Sequence, residues 1–349
     1  MPDKKIRKPY SLKSEQSNLS IQKLIEEAGG SEHSDLLAQL ITTVLKLQDE
    51  KVERGDLKIL NTTLKELRWA FKVYRPYRHQ RKVTIFGSAR TKSNNISFLE
   101  AKKFGKLMAN SNWMVITGGS GGIMHAGNEG AGRTHSFGAN IILPCEQAAN
   151  PVIEDDRKMI NFKYFFTRKL IFVKESDAIC LFPGGFGTLD ELFEVLTLVQ
   201  TGKMMPRPIV LVEPRGYQYW KRWNNFIKRG LVRLKMIDQQ DLSLFEIVKD
   251  AKAAHKHVVH FYRNFHSMRF ADEHLVIRLK RKLSTEELSS LNHSYRDILT
   301  KGKFQASKAF PSEESEPEIH DLPRVVCHFD RRSYGRLKKM IDQINDMGD

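Results

Sequence analysis

The central part of the chain alternates short apolar runs with segments in which apolar residues recur every three or four positions. Five runs carry the pattern: VTIFG, WMVITGG, ANIILP, DAICLF and PIVLVEP. Alternating strands and helices form right-handed βαβ units around a parallel sheet, and continuous apolar strands are expected where helices cover both faces. We therefore predict an α/β fold with a Rossmann-like, doubly wound parallel sheet over residues 81–250, which form one domain.

The region before this sheet, residues 1–80, has no strand alternation. We predict a flexible basic tail to about Ser20, followed by a helical extension. Apolar residues keep helical spacing from Ser34 to Tyr77, and the Arg54-Gly55-Asp56 turn could divide this extension in two.

The region after the sheet, residues 251–349, predicts a small C-terminal α+β unit. FHSMRF, HLVIRLK and RVVCHF have the composition of strands. Ser284 and Glu287 form the capping box of a predicted helix, and SKAFPSEESEPEIHD is typical of a flexible loop.

Composition and charge narrow the class of protein. Of the 349 residues, 40% are hydrophobic and 28% charged, as in ordinary globular proteins. No apolar run reaches membrane-spanning length, and the N-terminus lacks the apolar segment of a secretory signal. We therefore expect a cytoplasmic protein with no membrane partner. The net charge of +16 suits phosphate anions, whereas the wide spread of basic residues argues against a nucleic-acid partner.

The three cysteines give no sign of a metal site or a disulfide framework. Cys145, Cys180 and Cys327 are far apart in strand-like contexts, without the spacing of metal ligands. We predict buried, reduced thiols, no bound metal and no cofactor.

Three glycine-bearing turns follow predicted strands: FGSAR (Phe86–Arg90), TGGSGG (Thr117–Gly122) and PGGFGT (Pro183–Thr188). In an open parallel sheet, ligands bind beyond the carboxyl ends of the strands. Glycine lets backbone N–H groups approach a ligand closely, and the helix that follows adds a positive dipole end. Each turn alone is weak evidence, but three at one edge of a sheet favour a phosphate ligand.

Two common nucleotide motifs are missing from the sequence. No turn fits G-x-G-x-x-G with an acidic residue at the end of the next strand, and G-x-x-x-x-G-K-[ST] does not occur. These absences disfavour a dinucleotide and exclude a P-loop, so a mononucleotide fits better.

The helix predicted after PGGFGT carries three carboxylates near its start. If it begins near Thr188, it buries a face formed by Leu192, Val195, Leu196 and Val199. Asp190 and Glu194 then point away from this face, whereas Glu191 lies at its margin beside the proposed phosphate. Two interpretations stay open: the carboxylates only complement the helix dipole, or Glu191 is catalytic.

Arg168 and Lys169 open the helix before the strand that leads into PGGFGT. Cations at a helix N-terminus oppose the dipole, which is a local cost without a structural return. This conflict favours a functional role for Arg168, while Lys169 could equally be a solvated residue.

The segment FFTRKLIFVKESDAICLFPGGFGTLDELFEVLTLVQTGK closely resembles the Lonely Guy (LOG) family, formerly labelled lysine decarboxylase-like. The family's paired signature is an Arg-Lys dipeptide followed by P-G-G-x-G-T-x-x-E. Arg168 and Lys169 match the dipeptide, and PGGFGT with Glu191 matches the second part. The resemblance covers about Lys82 to Val232, and the flanking regions are similar to a longer bacterial subgroup.

This resemblance implies a phosphoribohydrolase that hydrolyses a nucleoside 5′-monophosphate, AMP-like or a cytokinin nucleotide, to free base and ribose 5-phosphate. It implies a homodimer or higher homo-oligomer, with Arg168 and Glu191 as the catalytic pair. We expect the phosphate to contact Gly184, Gly185, Phe186, Gly187 and Thr188. Further substrate contacts are expected from Gly87, Ser88, Gly118, Gly119, Met124 and Lys169.

The second turn departs from the family pattern. It reads GGSGGIMHAGNEGA where similar proteins more often have GGGPGIMEAANRGA. Ser120, Gly121, His125 and Glu129 therefore put the ribose or base contacts in doubt more than the phosphate site. His125 could act as an acid or base, or simply be a surface or hydrogen-bonded histidine.

An alternative function is a non-catalytic carrier or sensor that binds a nucleotide or molybdenum cofactor, since a related Rossmann-like group binds that cofactor with similar turns. Intact Arg168 and Glu191 favour the enzyme. The sequence does not identify the base or the role of the terminal regions.

Overall fold

The structure is a computed structural model that describes residues 10–144, 148–310, 313 and 317–348. The chain divides into two compact units between Lys65 and Glu66. Within the described ranges, no helix is long and apolar enough to cross a lipid bilayer.

The first unit is helical. It contains α1 (Glu15–Glu27), α2 (Ser34–Asp49) and the start of α3 (Arg54–Tyr74). The prediction of an irregular tail to about Ser20 is wrong from Glu15 onward, because the Ser14 side chain accepts a hydrogen bond from the Ser17 N–H and caps α1. Residues 1–9 lie outside the described residues. The break in the helical extension precedes Arg54, so Gly55 belongs to the first turn of α3.

Seven of the described strands form one parallel sheet in the second unit. They are β1 (Lys82–Phe86), β2 (Met114–Thr117), β3 (Ser136–Ile141), β4 (Met159–Phe162), β5 (Ala178–Leu181), β6 (Ile209–Val212) and β7 (Glu246–Val248). Their order is β4-β3-β2-β1-β5-β6-β7, with Thr84 of β1 paired to Ile116 on one side and Ile179 on the other. The order reverses between β1 and β5, which is the switch point where such sheets bind ligands.

Helices connect these strands and cover both faces of the sheet. They are α4 (Ile96–Asn110), α5 (Ile123–Ala131), α6 (Phe165–Glu175), α7 (Phe186–Gln200), α8 (Tyr219–Phe226) and α9 (Ala251–Phe261). Strand β6 shows why both faces are apolar. Val210 and Val212 pack into one hydrophobic cluster, and Ile209 and Leu211 into the other. Burial of each such side chain stabilises the folded protein by about 1.5–3 kcal/mol. The parallel sheet with helices on both faces confirms the predicted doubly wound α/β fold.

The C-terminal strands form an antiparallel sheet of four within the described chain, in the order β10-β11-β9-β8. They are β8 (Phe265–Ala271), β9 (His274–Leu279), β10 (Leu299–Ser307) and β11 (Arg324–Phe329), with α10 (Thr285–Ser294) and α11 (Tyr334–Asp346). One hydrophobic cluster contains both Val83 of β1 and Leu275 of β9, so the two sheets share a core. A domain boundary at residue 250 stays a prediction.

Local features of this region bear out two predictions and refine a third. Ser284 and Glu287 form the predicted capping box of α10. Cys180 and Cys327 are buried and free, whereas Cys145 lies outside the described residues. In the predicted flexible loop, residues 311, 312 and 314–316 are likewise outside the described part, but Glu313 is fully buried.

Glu313 is held by two arginines from neighbouring strands. Its carboxylate accepts hydrogen bonds from Arg278 Nε at 2.7 Å and Arg324 Nε at 2.9 Å. Both guanidinium groups are almost fully buried, so the Glu313 carboxylate, and not water, stabilises their charges. A residue in a Ser-, Pro- and Glu-rich segment thus packs against the antiparallel sheet.

Candidate active site

The three glycine-bearing turns meet at the switch point between β1 and β5. The Ser88 N–H donates to Pro183 O at 3.2 Å, and the Ile123 N–H donates to Ser88 O at 3.0 Å. These bonds connect the turns after β1, β2 and β5. The three turns line a cleft of about 770 Å³ at the carboxyl ends of the strands.

The glycines of PGGFGT serve two different purposes. A Cβ on Gly184 would lie 2.1 Å from Thr188 Oγ1, so the packing of the protein requires glycine there. A Cβ on Gly185 or Gly187 would meet no described atom within 4 Å. Folding therefore does not demand glycine at these two positions, and both face space in which a ligand can approach the backbone.

The N-terminus of α7 presents hydrogen-bond donors to this space. The helix begins at Phe186, two residues before the predicted start near Thr188. Within the described chain, the N–H groups of Phe186 and Gly187 have no acceptor, as expected for the first turn of a helix. Together with the positive end of the helix dipole, they form a site suited to a phosphate.

Glu191 is the buried carboxylate of this helix. Leu192, Val195 and Val199 pack into the core as predicted, and Glu191, 3% exposed, lies beside them and lines the cleft. Burial raises the pKa of Glu191 to about 7, against the opposing effect of Lys169 and Arg168. Such a carboxyl group exchanges protons near neutral pH, as a general base must.

Arg168 faces Glu191 from the first turns of α6. Its Nη2 lies 3.8 Å from Glu191 Oε1, longer than a hydrogen bond, and its guanidinium carbon lies 5.2 Å from the centre of the Phe165 ring. Burial lowers the pKa of Arg168. Arg168 Nε and Glu191 Oε2 are buried and make no hydrogen bond among the described residues, so both retain bonding capacity for a substrate.

Lys169 has a different environment from Arg168. Its Nζ lies 2.9 Å from Asp190 Oδ2 and 2.8 Å from Glu194 Oε2, joining α6 to the outer side of α7. These ion pairs fix the position of α6, which carries Arg168, relative to α7, which carries Glu191. Lys169 does not line the cleft as the structure describes it, and its predicted substrate contact stays a prediction.

The cleft brings together most of the other predicted residues. Gly87, Ser88, Gly118 and Met124 line it with the PGGFGT loop. Gly119 lies outside this lining, with a φ of +73°, and a Cβ added there would lie 2.7 Å from Met159 Cε, which indicates a backbone role in the turn.

The residues that depart from the family pattern are not among the described residues that line the cleft. The His125 ring packs against Phe98 at 5.8 Å, and Glu129 forms an ion pair with Lys102 at 2.6 Å.

Two groups that support the site were not predicted from the sequence. The Tyr219 hydroxyl donates to Gly184 O at 2.7 Å and fixes the PGGFGT loop from α8. The Glu66 carboxylate accepts hydrogen bonds from the Lys163 N–H at 2.6 Å and from Thr167 Oγ1 at 2.5 Å, which fixes the start of α6 next to Arg168. Both contacts join residues far apart in sequence, so local patterns carry no signal for them.

Comparisons with known proteins agree with this geometry. A family model described as "Possible lysine decarboxylase" matches residues 120–258. The cytokinin riboside 5′-monophosphate phosphoribohydrolase of Mycobacterium tuberculosis is 30% identical over 161 residues, which cover 44% of this chain and 82% of that protein. The enzyme of the same name, LOG3 of Arabidopsis thaliana, is 30% identical over 142 residues, covering 39% of this chain and 64% of the plant protein.

Solved structures with a similar arrangement are more distant. The molybdenum cofactor carrier protein of Chlamydomonas reinhardtii is 22% identical with a TM-score of 0.37, covering 52% of this chain and 98% of its own. DNA processing protein A from Streptococcus pneumoniae is 12% identical with a TM-score of 0.37, covering 70% of this chain and 93% of its own. The mycobacterial relative is matched over most of its length, and both parts of the paired signature are present. The chain therefore belongs to the Lonely Guy (LOG) family.

Proposed function

We propose that the protein is a phosphoribohydrolase that cleaves the N-glycosidic bond of a nucleoside 5′-monophosphate, AMP-like or a cytokinin nucleotide. The observation that carries the proposal is Glu191, a buried carboxyl group with a pKa of about 7 that faces Arg168 beside a glycine-rich helix N-terminus. The names of the similar mycobacterial and plant proteins support the reaction class.

The 5′-phosphate binds at the start of α7. The N–H groups of Phe186 and Gly187 donate to its oxygens, and Gly185 allows the close approach that a side chain would block. Thr188, whose Oγ1 lies against Gly184, adds a hydroxyl donor. Anchoring the phosphate fixes the position of the ribose relative to Glu191.

Hydrolysis passes through a ribosyl cation-like state, which an anionic group beside the sugar stabilises. Glu191 in its carboxylate form lies next to the developing charge and accepts a proton from the attacking water. The water oxygen bonds to C1′ as the C1′–N bond breaks. The departing base keeps the electron pair of that bond and takes up the proton that Glu191 accepted, so the carboxylate is regenerated and the products are the free base and ribose 5-phosphate.

Arg168 is the cationic partner in this arrangement. Its guanidinium group lies between the start of α6 and Glu191 and has an unpaired Nε in the described structure. It positions the phosphate or polarises the departing base. Its fixed charge also favours the ionised form of Glu191.

The test is a panel of nucleoside 5′-monophosphates, including AMP and a cytokinin riboside 5′-monophosphate, assayed for free base by chromatography. We expect base release, a kcat/KM that rises as pH approaches 7, and a loss of at least a hundredfold in Glu191→Gln. The matched control is Asp190→Asn, which removes a more exposed carboxylate of the same helical turn and should retain activity. Binding of these nucleotides without any base release would instead support the carrier or sensor function.

A further inference from the structure

A second cavity lies at the opposite end of the parallel sheet from the candidate active site. This amino-end pocket has a volume of about 730 Å³. Lys82 is the first residue of β1, Asp177 directly precedes β5 and Arg207 lies just before β6, and all three line it. It shares no described lining residue with the cleft.

The lining of the amino-end pocket has more positive charge than its own carboxylates neutralise. Its basic side chains are Arg75, Arg78, Arg81, Lys82, Lys174 and Arg207, against the carboxylates Glu175 and Asp177. Lys82 and Lys174 pair with Glu175, and Arg81 pairs with Asp177 at 3.3 Å. Among the described residues, this leaves three arginines with no carboxylate within ion-pair distance.

Arg207 is more buried than Arg75 and Arg78, which are both exposed. Its Nη1 donates to the carbonyl groups of Val173 and Ser176, while its Nε is buried without a hydrogen-bond partner in the described structure. Burial lowers the pKa of Arg207. The carboxylate whose charge acts on Arg207 is Asp177, which already pairs with Arg81, so a bound anion would offset the remaining cost of burying this cation.

The rest of the lining combines aromatic and apolar residues with Ser176, His266 and Ser267. Tyr262 and Phe265 form one wall, and Arg81 stacks 3.6 Å from the centre of the Tyr262 ring. Met205 and Met268 add flexible apolar surface that adapts to a flat ring. Guanidinium groups recognise phosphates, and aromatic and methionine side chains recognise a heterocycle.

From this combination we propose that the amino-end pocket is a second binding site, for a nucleotide that carries several phosphates. Its volume falls in the range of small-molecule sites. A concave site of this size accommodates one nucleotide, so the observations favour a small molecule over an RNA strand. The proposal does not depend on the reaction proposed for the cleft.

Helix α6 links this pocket to the cleft. Arg168, near its start, lines the cleft, and Lys174 and Glu175, at its end, line the amino-end pocket. An α-helix of 11 residues is about 16 Å long, so two different ligands can occupy the two sites at once.

The test is calorimetric titration of the full chain with ATP and with inorganic triphosphate. Arg75→Glu with Arg78→Glu reverses two exposed charges of the pocket, and we expect ATP affinity to fall at least tenfold. Lys228→Glu with Arg229→Glu makes the same charge change on exposed residues outside the lining and should alter affinity less than threefold. Arg168→Ala should leave this binding event unchanged, and thermal unfolding verifies that all variants fold.

Several results would overturn the proposal. Unchanged ATP affinity in the Arg75/Arg78 variant would exclude the pocket, and loss of binding in Arg168→Ala would assign it to the cleft. Equal affinity for ATP and inorganic triphosphate would remove the role of the aromatic wall. A single-stranded RNA decamer that binds through Arg75 and Arg78 while ATP does not would replace the nucleotide with a nucleic-acid partner.

Discussion

Substituting Glu191 by glutamine should stabilise the protein while abolishing its activity. In the folded chain, burial raises the pKa of Glu191 from an ordinary value of 4.5 to about 7. A raised pKa means that the protonated carboxyl group favours folding. That contribution is complete below pH 4.5 and is lost as pH rises through 7. Glutamine has a similar shape and no charge, so Glu191→Gln keeps the neutral state at every pH.

The magnitude follows from the same two values. Each pKa unit corresponds to about 1.4 kcal/mol, so the ionised carboxylate lowers the free energy of unfolding by about 3 kcal/mol well above pH 7. For the second compact unit, Glu66–Asp349, a difference of this size corresponds to a melting temperature about 5–10 °C higher in Glu191→Gln than in wild type. Below pH 4.5 the two proteins should have nearly the same stability.

The measurement is urea unfolding of wild type and Glu191→Gln at intervals between pH 4 and 8. Other titrating groups occur in both proteins and cancel in the difference. Asp190→Asn is the control, because its side chain is 58% exposed and its removal relieves no burial cost. A difference between wild type and Glu191→Gln that stays flat across this range would refute the reasoning. Glu191 would then be well solvated, and its role as a base tuned to neutral pH would lose its physical basis.

Four further substitutions test other parts of the structure. Tyr219→Phe removes the hydrogen bond to Gly184 O, worth about 1 kcal/mol, and steady-state kinetics should show an approximately fivefold higher KM with little change in kcat. Gly185→Ala should keep thermal stability and raise KM at least tenfold, whereas Gly184→Ala should lower stability by about 1–3 kcal/mol because its Cβ meets Thr188. Glu313→Gln should lower the free energy of urea unfolding by about 3–5 kcal/mol, since two buried arginines lose their counter-charge, and unchanged stability would contradict that assignment.

The fold was predictable where apolar patterning is strong. Strands β1, β2, β5 and β6 are buried along their whole length, and most of their residues are apolar. Strand β10, LTKGKFQAS, was missed because most of its side chains face solvent and only Phe304 is buried among its described residues. Its pairing with β11 is a tertiary contact that the local sequence does not encode.

The candidate site was predictable to the extent that it depends on helix periodicity and strand direction. Periodicity separated Glu191 from Asp190, and the common direction of the parallel strands predicted that the three glycine-bearing turns lie at one edge of the sheet. The start of α7 at Phe186 was not predicted, because the backbone of Gly185 decides it. The hydroxyl of Tyr219 contacts a carbonyl group 35 residues away, a distance at which single-sequence patterns have no predictive value.

The hydrogen bonds that join Ser88 to Pro183 and Ile123 to Ser88 have an evolutionary consequence. Because the three turns are bonded to one another, an insertion in any of them would displace the other two and the phosphate site with them. Changes in base preference are therefore more easily accommodated in segments outside this bonded set, such as the Pro214–Gln218 connection between β6 and α8. Homologues with different substrates should accordingly vary most in the length and sequence of that connection, while the three turns keep a constant length.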